Sequence, residues 1–220
     1  AFTSANGKTR QFEAGPLPPP FEIAGPWQVQ FAARGGAPQE ATFEKLISWS
    51  EHPDAGVKYF SGAATYTRSF TADAGLLEKG RRLFLDLGRV AVMAEVKLNG
   101  KSLGILWKAP YRVEITGVLE PGENLLEIKA VNLWINRQIG DEQLPEDSDR
   151  NRDGTVKRWP AWLEAGQPSP AGRYTFTSWR LWKKDSPPQE SGLLGPVVIV
   201  SASQTEVSKA APVIPNRHRP

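Results

Sequence analysis

Apolar and polar residues alternate through the middle of this chain. Val92, Ala94, Val96 and Leu98 fall on one side of an extended backbone, and Met93, Glu95 and Lys97 fall on the other. That period of two is the mark of a half-buried strand. Asn99-Gly100 follows, supplying two residues that tolerate positive φ, as a two-residue type I′ hairpin requires. Val113 and Ile115 flank Glu114, Pro121-Gly122-Glu123-Asn124 is a second turn signal, and Leu126, Ile128 and Ala130 alternate with Glu127 and Lys129. Residues 82–132 are therefore predicted to form an antiparallel meander.

The same reading extends outward. Trp27, Val29 and Phe31 share one face of a first strand. Phe43, Leu46, Ile47 and Ser50 have helix-like spacing, which predicts a short helix within residues 39–50. Residues 59–70 and 82–87 read as strands, and residues 193–200 as the strand that closes the sheet. Residues 174–182 also read as a strand, with Trp179 and Trp182, like Trp27, packing into the core. Between Trp134 and that strand, residues 135–173 show no sustained period, which marks a functional insertion or an interface loop. Residues 1–20 read as an extended proline-rich linker, 21–202 as one domain and 203–220 as a tail. About nine strand segments with little helix predict an all-β fold, a two-layer antiparallel sandwich with a long irregular loop insertion; a barrel has the same periodicity.

Composition narrows the function classes. Lys and Arg number 27 against 24 Asp and Glu, a formal charge of +3, and the basic residues are scattered except for a small group at Arg217-His218-Arg219. A nucleic-acid footprint needs a stripe or patch, so no nucleic-acid partner is expected. No run is long and apolar enough to span a bilayer, so no membrane partner is expected either. Cysteine is absent, which excludes disulfides and thiolate chemistry. The first eight residues lack the apolar core of a signal peptide, consistent with a mature form or an excised domain.

Several segments then resemble a known family. Phe60-Ser61-Gly62-Ala63-Ala64-Thr65-Tyr66, Leu85-Asp86-Leu87-Gly88, Ala94-Glu95-Val96-Lys97-Leu98-Asn99-Gly100 and the stretch from Leu119 to Glu127 resemble the sugar-binding sandwich domain of glycoside hydrolase family 2. A narrower resemblance is carried by Trp107-Lys108-Ala109-Pro110-Tyr111, by residues 132–141, by Gly172-Arg173-Tyr174-Thr175-Phe176-Thr177 and by residues 191–197. Together these look like the C-terminal β-sandwich region of family 106 α-L-rhamnosidases. Ala109 stands where a proline is usual and Gln138 where an aliphatic residue is usual. The resemblance implies a jelly roll of the galactose-binding type and a secreted or periplasmic bacterial setting. It also implies a catalytic barrel domain as partner, which would carry the catalytic carboxylates outside this chain.

Candidate chemistry follows from residue types. With His52 and His218 as the only histidines, no Ser-His-Asp triad or His-rich metal site is credible. Asp141, Glu142, Glu146, Asp147, Asp149 and Asp153 offer carboxylates for a hydrolytic pair, although a solvated loop has the same composition. The chain is accordingly expected not to be an enzyme by itself. Sugar binding suits it better: pyranose C–H faces stack on indoles while hydroxyls need fixed polar partners, and the sequence holds 8 tryptophans. Trp107, Tyr111, Trp134, Asn136, Arg137 and Asp141 are the candidate ligand-binding residues for a rhamnose-containing or related glycan. Trp107 and Trp134 suit a core or domain interface equally, and Arg137 with Asp141 suits an internal pair. Trp159 and Trp162 lie in the irregular segment. Asp149, Asn151 and Asp153, followed by Gly154, resemble the first half of a calcium loop, but Lys157 and Pro160 stand where later ligands belong. Calcium is thus a candidate cofactor, and a turn held by its own hydrogen bonds is the alternative.

Overall fold

The alternation around Asn99-Gly100 is realised as a hairpin at one side of a six-stranded antiparallel sheet. In the computed structural model, which describes residues 2–3, 7, 9–10, 17–33, 35–78 and 80–203, Asn99 and Gly100 both take positive φ, 52° and 75°. The strands are β1 (Phe2–Thr3), β2 (Thr9–Arg10), β3 (Phe21–Glu22), β4 (Trp27–Phe31), β5 (Glu40–Phe43), β6 (Ala63–Ala72) and β7 (Arg81–Asp86). They continue as β8 (Arg89–Ala91), β9 (Met93–Leu98), β10 (Lys101–Leu106), β11 (Arg112–Glu114), β12 (Gly122–Val131), β13 (Gly192–Gly195) and β14 (Val198–Ser203). Three short helices, α1 (Ala55–Lys58), α2 (Ile135–Asp141) and α3 (Ala161–Glu164), join them.

The larger sheet runs β10-β9-β12-β6-β4-β5, and the smaller runs β11-β7-β14-β3. β12 pairs with β6 from Gly122 opposite Ala72 to Val131 opposite Ala63, and its other edge pairs with β9. Between the sheets lies one apolar core. Trp27, Val29, Phe31, Tyr66, Val96, Leu126 and Ile128 enter it from the larger sheet, and Leu83, Leu85 and Ile199 from the smaller. The period of two forces this arrangement, because every second residue of each strand must leave water together. Among the described residues the chain is an all-β antiparallel sandwich of the jelly-roll kind, and no helix is long and apolar enough to cross a membrane.

Several local expectations differ from the structure. Residues 39–50 hold no α-helix: Glu40–Phe43 is edge strand β5, with Phe43 opposite Trp27, and Trp49–Glu51 is a single 3-10 turn. Pairing at a sheet edge overrode the helical spacing. Residues 174–182 join neither sheet; Trp179 bridges Thr155, and Val156 and Arg180 bond Ser178 and Gly154 across a local turn. Trp179 is consequently exposed and Trp182 half-buried, whereas Trp27 is buried as expected. Val92, expected to point inward, is exposed where the chain passes from β8 to β9. The supposedly aperiodic residues 135–173 contain α2 and α3. Within the expected linker at 1–20, β1 pairs with β2 and residues 11–16 lie outside the described residues; the expected tail lies outside them from 204 onward.

Candidate functional site

At the end of β12 the chain turns over the rim of the larger sheet. Asn132 fixes this turn, accepting from the Gly62 amide (2.8 Å) and donating to the Phe60 carbonyl (2.9 Å). Leu133 and Trp134 point outward and α2 begins. The helix turns Asn136, Arg137, Ile139, Gly140 and Asp141 inward. Asn136 accepts from the Gln189 amide (2.7 Å) and donates to the Gln189 carbonyl (2.8 Å). Arg137 donates Nε to Asp141 Oδ1 (3.1 Å), one helical turn on. Asp141 Oδ2 accepts from the amides of Tyr174 (3.0 Å) and Thr175 (2.7 Å) and from the Thr175 hydroxyl (2.7 Å). The Arg137 guanidinium lies over the Tyr174 ring at 4.8 Å.

Buried charges need partners of this kind, and here they also tie distant chain together. Asp141 anchors the helix to residues 174–175, and Asn136 anchors it to 189–191. The long irregular segment is thereby held at its root and at its return.

The structure therefore divides the six candidate ligand-binding residues. Asn136, Arg137 and Asp141 come together, but as a buried brace in which the Asn136 amide, Arg137 Nε and both Asp141 carboxylate oxygens bond to protein and the guanidinium lies over the Tyr174 ring. Tyr111 is half-buried against the core and donates its hydroxyl to the Val92 carbonyl (2.8 Å). Trp107 and Trp134 are 66% and 64% exposed. Both lie at one end of the larger sheet. Trp107 follows Leu106, which pairs with Ala94, and Trp134 follows the end of β12, where Val131 pairs with Met93. Met93, Ile105 and Leu133, from the same strand ends, are also exposed, and the Lys108 ammonium lies over the Trp107 ring at 5.6 Å.

The acidic residues of the insertion are largely held as well. Arg173 donates to Glu142 (2.9 Å), and Arg180 bonds Glu146. Arg150 donates to the carbonyls of Gly154 (3.0 Å) and Thr177 (2.8 Å), and burial first, then the like charge of Arg180, draws its pKa below the usual guanidinium value. Asp147 accepts from Ser148 (3.0 Å) and Ser169 (2.6 Å). The hydroxyl and then the amide of Thr155 hold the Asp153 carboxyl below its ordinary pKa.

Asn151 also bonds Thr155 (3.0 Å), and its amide and carbonyl close the turn onto Thr155 and Gly154. Asp149, Asn151 and Asp153 are thus arranged as a hydrogen-bonded turn. Among the described residues no three His, Asp or Glu side chains converge as a group that could hold a metal ion. Trp159 and Trp162, the tryptophans of the irregular segment, line a cleft of about 780 Å³ between residues 146–149 and 158–164.

A family described as glycosyl hydrolase 2 galactose-binding domain-like matches residues 51–162 of the chain. A Formosa agariphila protein named "Putative beta-glucuronidase" is 43% identical over 199 residues, covering 90% of this chain and 17% of that protein. The solved rhamnosidase of Novosphingobium sp. PP1Y superposes with a TM-score of 0.68 at 34% identity, covering 90% of this chain and 16% of the enzyme. The Bifidobacterium dentium beta-glucuronidase shares the fold, with a TM-score of 0.57 at 22% identity over 87% of this chain and 31% of that enzyme. The chain thus spans a small fraction of the relatives it matches.

Proposed function

Because the chain belongs to the glycosyl hydrolase 2 galactose-binding domain-like family, we propose that it is a noncatalytic module of a larger α-L-rhamnosidase-like glycoside hydrolase, of family 106, and that its exposed indole end packs against the rest of that enzyme. The observation that carries this reading is the division of the candidate site. A sugar subsite needs polar groups beside its indole, yet Asn136, Arg137 and Asp141 are buried and bonded to protein through the Asn136 amide, Arg137 Nε and the Asp141 carboxylate. What remains at this end is exposed apolar side chains of Met93, Ile105 and Leu133, with the Lys108 ammonium over the Trp107 ring, a mixed surface of the kind by which one domain meets another. The small share of each relative that this chain covers supplies the occupant, the remainder of the same enzyme.

The rhamnosidase similarity favours an α-L-rhamnoside-acting parent. The name of the Formosa agariphila relative favours a β-glucuronide-acting one. In either parent this module is read as noncatalytic, because glycoside hydrolysis needs two opposed carboxyl groups and the large remainder of each relative, which this chain does not span, would supply them. Incubated with aryl α-L-rhamnoside or aryl β-D-glucuronide, the purified chain is expected to release no chromophore above the blank. Sustained turnover of either substrate by the chain would overturn the noncatalytic reading.

A further inference from the structure

We propose that the cleft between residues 146–149 and 158–164 is a binding site for a neutral saccharide, with Trp159 as its stacking platform. Its volume of about 780 Å³ falls within the roughly 300–1,000 Å³ of sites that enclose small ligands. Its walls are fixed by contacts within the insertion. Trp162 donates its indole N–H to the Asp147 carbonyl (3.0 Å), joining one wall to the other. Phe176 backs both indoles, tilted against Trp159 at 5.3 Å and edge-on to Trp162 at 6.0 Å. Trp162 is thus a structural support. Trp159 is different, being 55% exposed at the cleft while Phe176 holds its ring in place.

Asp149, Glu164 and Arg158 line the same cleft and are exposed. A pyranose fits such a set. Its C–H face covers the indole, its hydroxyls donate to the two carboxylates, and they accept from the guanidinium.

Charge decides which saccharide. Glu146 is neutralised by Arg180, whereas Asp147 is held by the neutral hydroxyls of Ser148 and Ser169. Three carboxylates, of Asp147, Asp149 and Glu164, then face the single cation of Arg158. A uronate or sulfated sugar would bring its anion against this excess, whereas a neutral sugar meets only acceptors for its hydroxyls. The cleft therefore selects neutral residues even when the parent glycan carries uronates.

Saccharide as the ligand class rests on the glycoside-hydrolase reading; the place and the charge preference rest on the cleft alone. The test is a tryptophan-fluorescence and calorimetric titration of the full chain with methyl α-L-rhamnoside, methyl β-D-galactoside and methyl β-D-glucuronide. At least one neutral glycoside is expected to bind saturably, and the glucuronide at least tenfold more weakly. Trp159→Ala should weaken the neutral ligand at least tenfold, while Trp134→Ala binds as the parent chain does. The exposed double variant D149N/E164Q should narrow the gap between neutral and anionic ligands, a readout that does not depend on the folding of Trp159→Ala. No saturable binding to any of the three, undiminished binding in folded Trp159→Ala, or a glucuronide preference would overturn the proposal. None of these results bears on whether Trp107 and Trp134 pack against the rest of the enzyme, so the two readings fail separately.

Discussion

Asp141→Ala is expected to destabilise the chain by about 3–5 kcal/mol, the cost of removing one partner from a buried ion pair. Asp141 is 2% exposed and is the counter-charge of the buried Arg137. Alanine there leaves that guanidinium without its carboxylate and deprives the Tyr174 amide, the Thr175 amide and the Thr175 hydroxyl of their common acceptor. For a domain of this size each kcal/mol lowers Tm by roughly 2–4 °C, so a fall of about 10 °C is expected in a thermal melt. The loss should also be local in character: limited proteolysis should cut within residues 144–190 before it touches the sheets. The double variant Arg137→Met with Asp141→Leu should recover part of the stability, because no charge is then left buried and unpaired. A change in stability below about 1 kcal/mol for Asp141→Ala, no more than a surface salt bridge contributes, would mean that the brace does not hold the insertion.

Trp49→Ala is expected to cost a similar amount, about 3–5 kcal/mol, by opening a cavity in the core. Trp49 is fully buried and stands edge-on to Phe31 (5.6 Å) and Phe60 (5.5 Å). Its indole N–H donates to the Tyr66 hydroxyl (2.5 Å), which also accepts from the Leu193 amide (3.2 Å). Burial pushes the Tyr66 phenol pKa up, so that hydroxyl stays neutral and can join the 3-10 turn to both β6 and β13. The chain at Gly192 passes so close that a Cβ there would sit 2.5 Å from Trp49 Nε1, and its φ of +91° suits glycine alone. Trp49→Phe keeps most of the packing and removes the N–H; it should cost about 1–3 kcal/mol, the range for a buried polar group losing its partner. Urea denaturation separates the two variants. Equal losses for alanine and phenylalanine would place the whole contribution in the hydrogen bond and none in the cavity.

The sandwich was legible because its signals are local. Ala94, Val96 and Leu98 beside Glu95 and Lys97, an Asn-Gly turn, then Leu126, Ile128 and Ala130, specify strands and register within forty residues. The helix expected around Phe43 to Ser50 failed because Phe43 ends an edge strand paired with Trp27, and the chain beyond Leu46 and Ile47 forms only a 3-10 turn at Trp49–Glu51. The strand expected at 174–182 failed because its backbone partners are a carboxylate and a short turn, not another strand.

The site was half legible for the same reason. Trp107 and Trp134 stand out as aromatics beyond strand ends, and both are exposed. Asn136, Arg137 and Asp141 have the composition of a sugar subsite. Whether such residues face water depends on Thr175, 34 residues beyond Asp141, and on Gln189, 53 residues beyond Asn136. Nothing in the local pattern announces those partners. Trp159 was legible only as a tryptophan of the irregular segment, because the Phe176 ring and the Asp147 side that complete its cleft come from other stretches of the insertion.

The central claim, that this sandwich is a module docked through its indole end on a larger glycoside hydrolase, is tested most directly by hydroxyl-radical footprinting. The chain alone would be compared with the protein encoded by its complete reading frame. Trp107 and Trp134 are expected to oxidise several-fold more slowly in the larger protein, with Trp159 and Trp179 unchanged. Equal oxidation of Trp107 and Trp134 in the two, or a reading frame that encodes no catalytic domain, would contradict it.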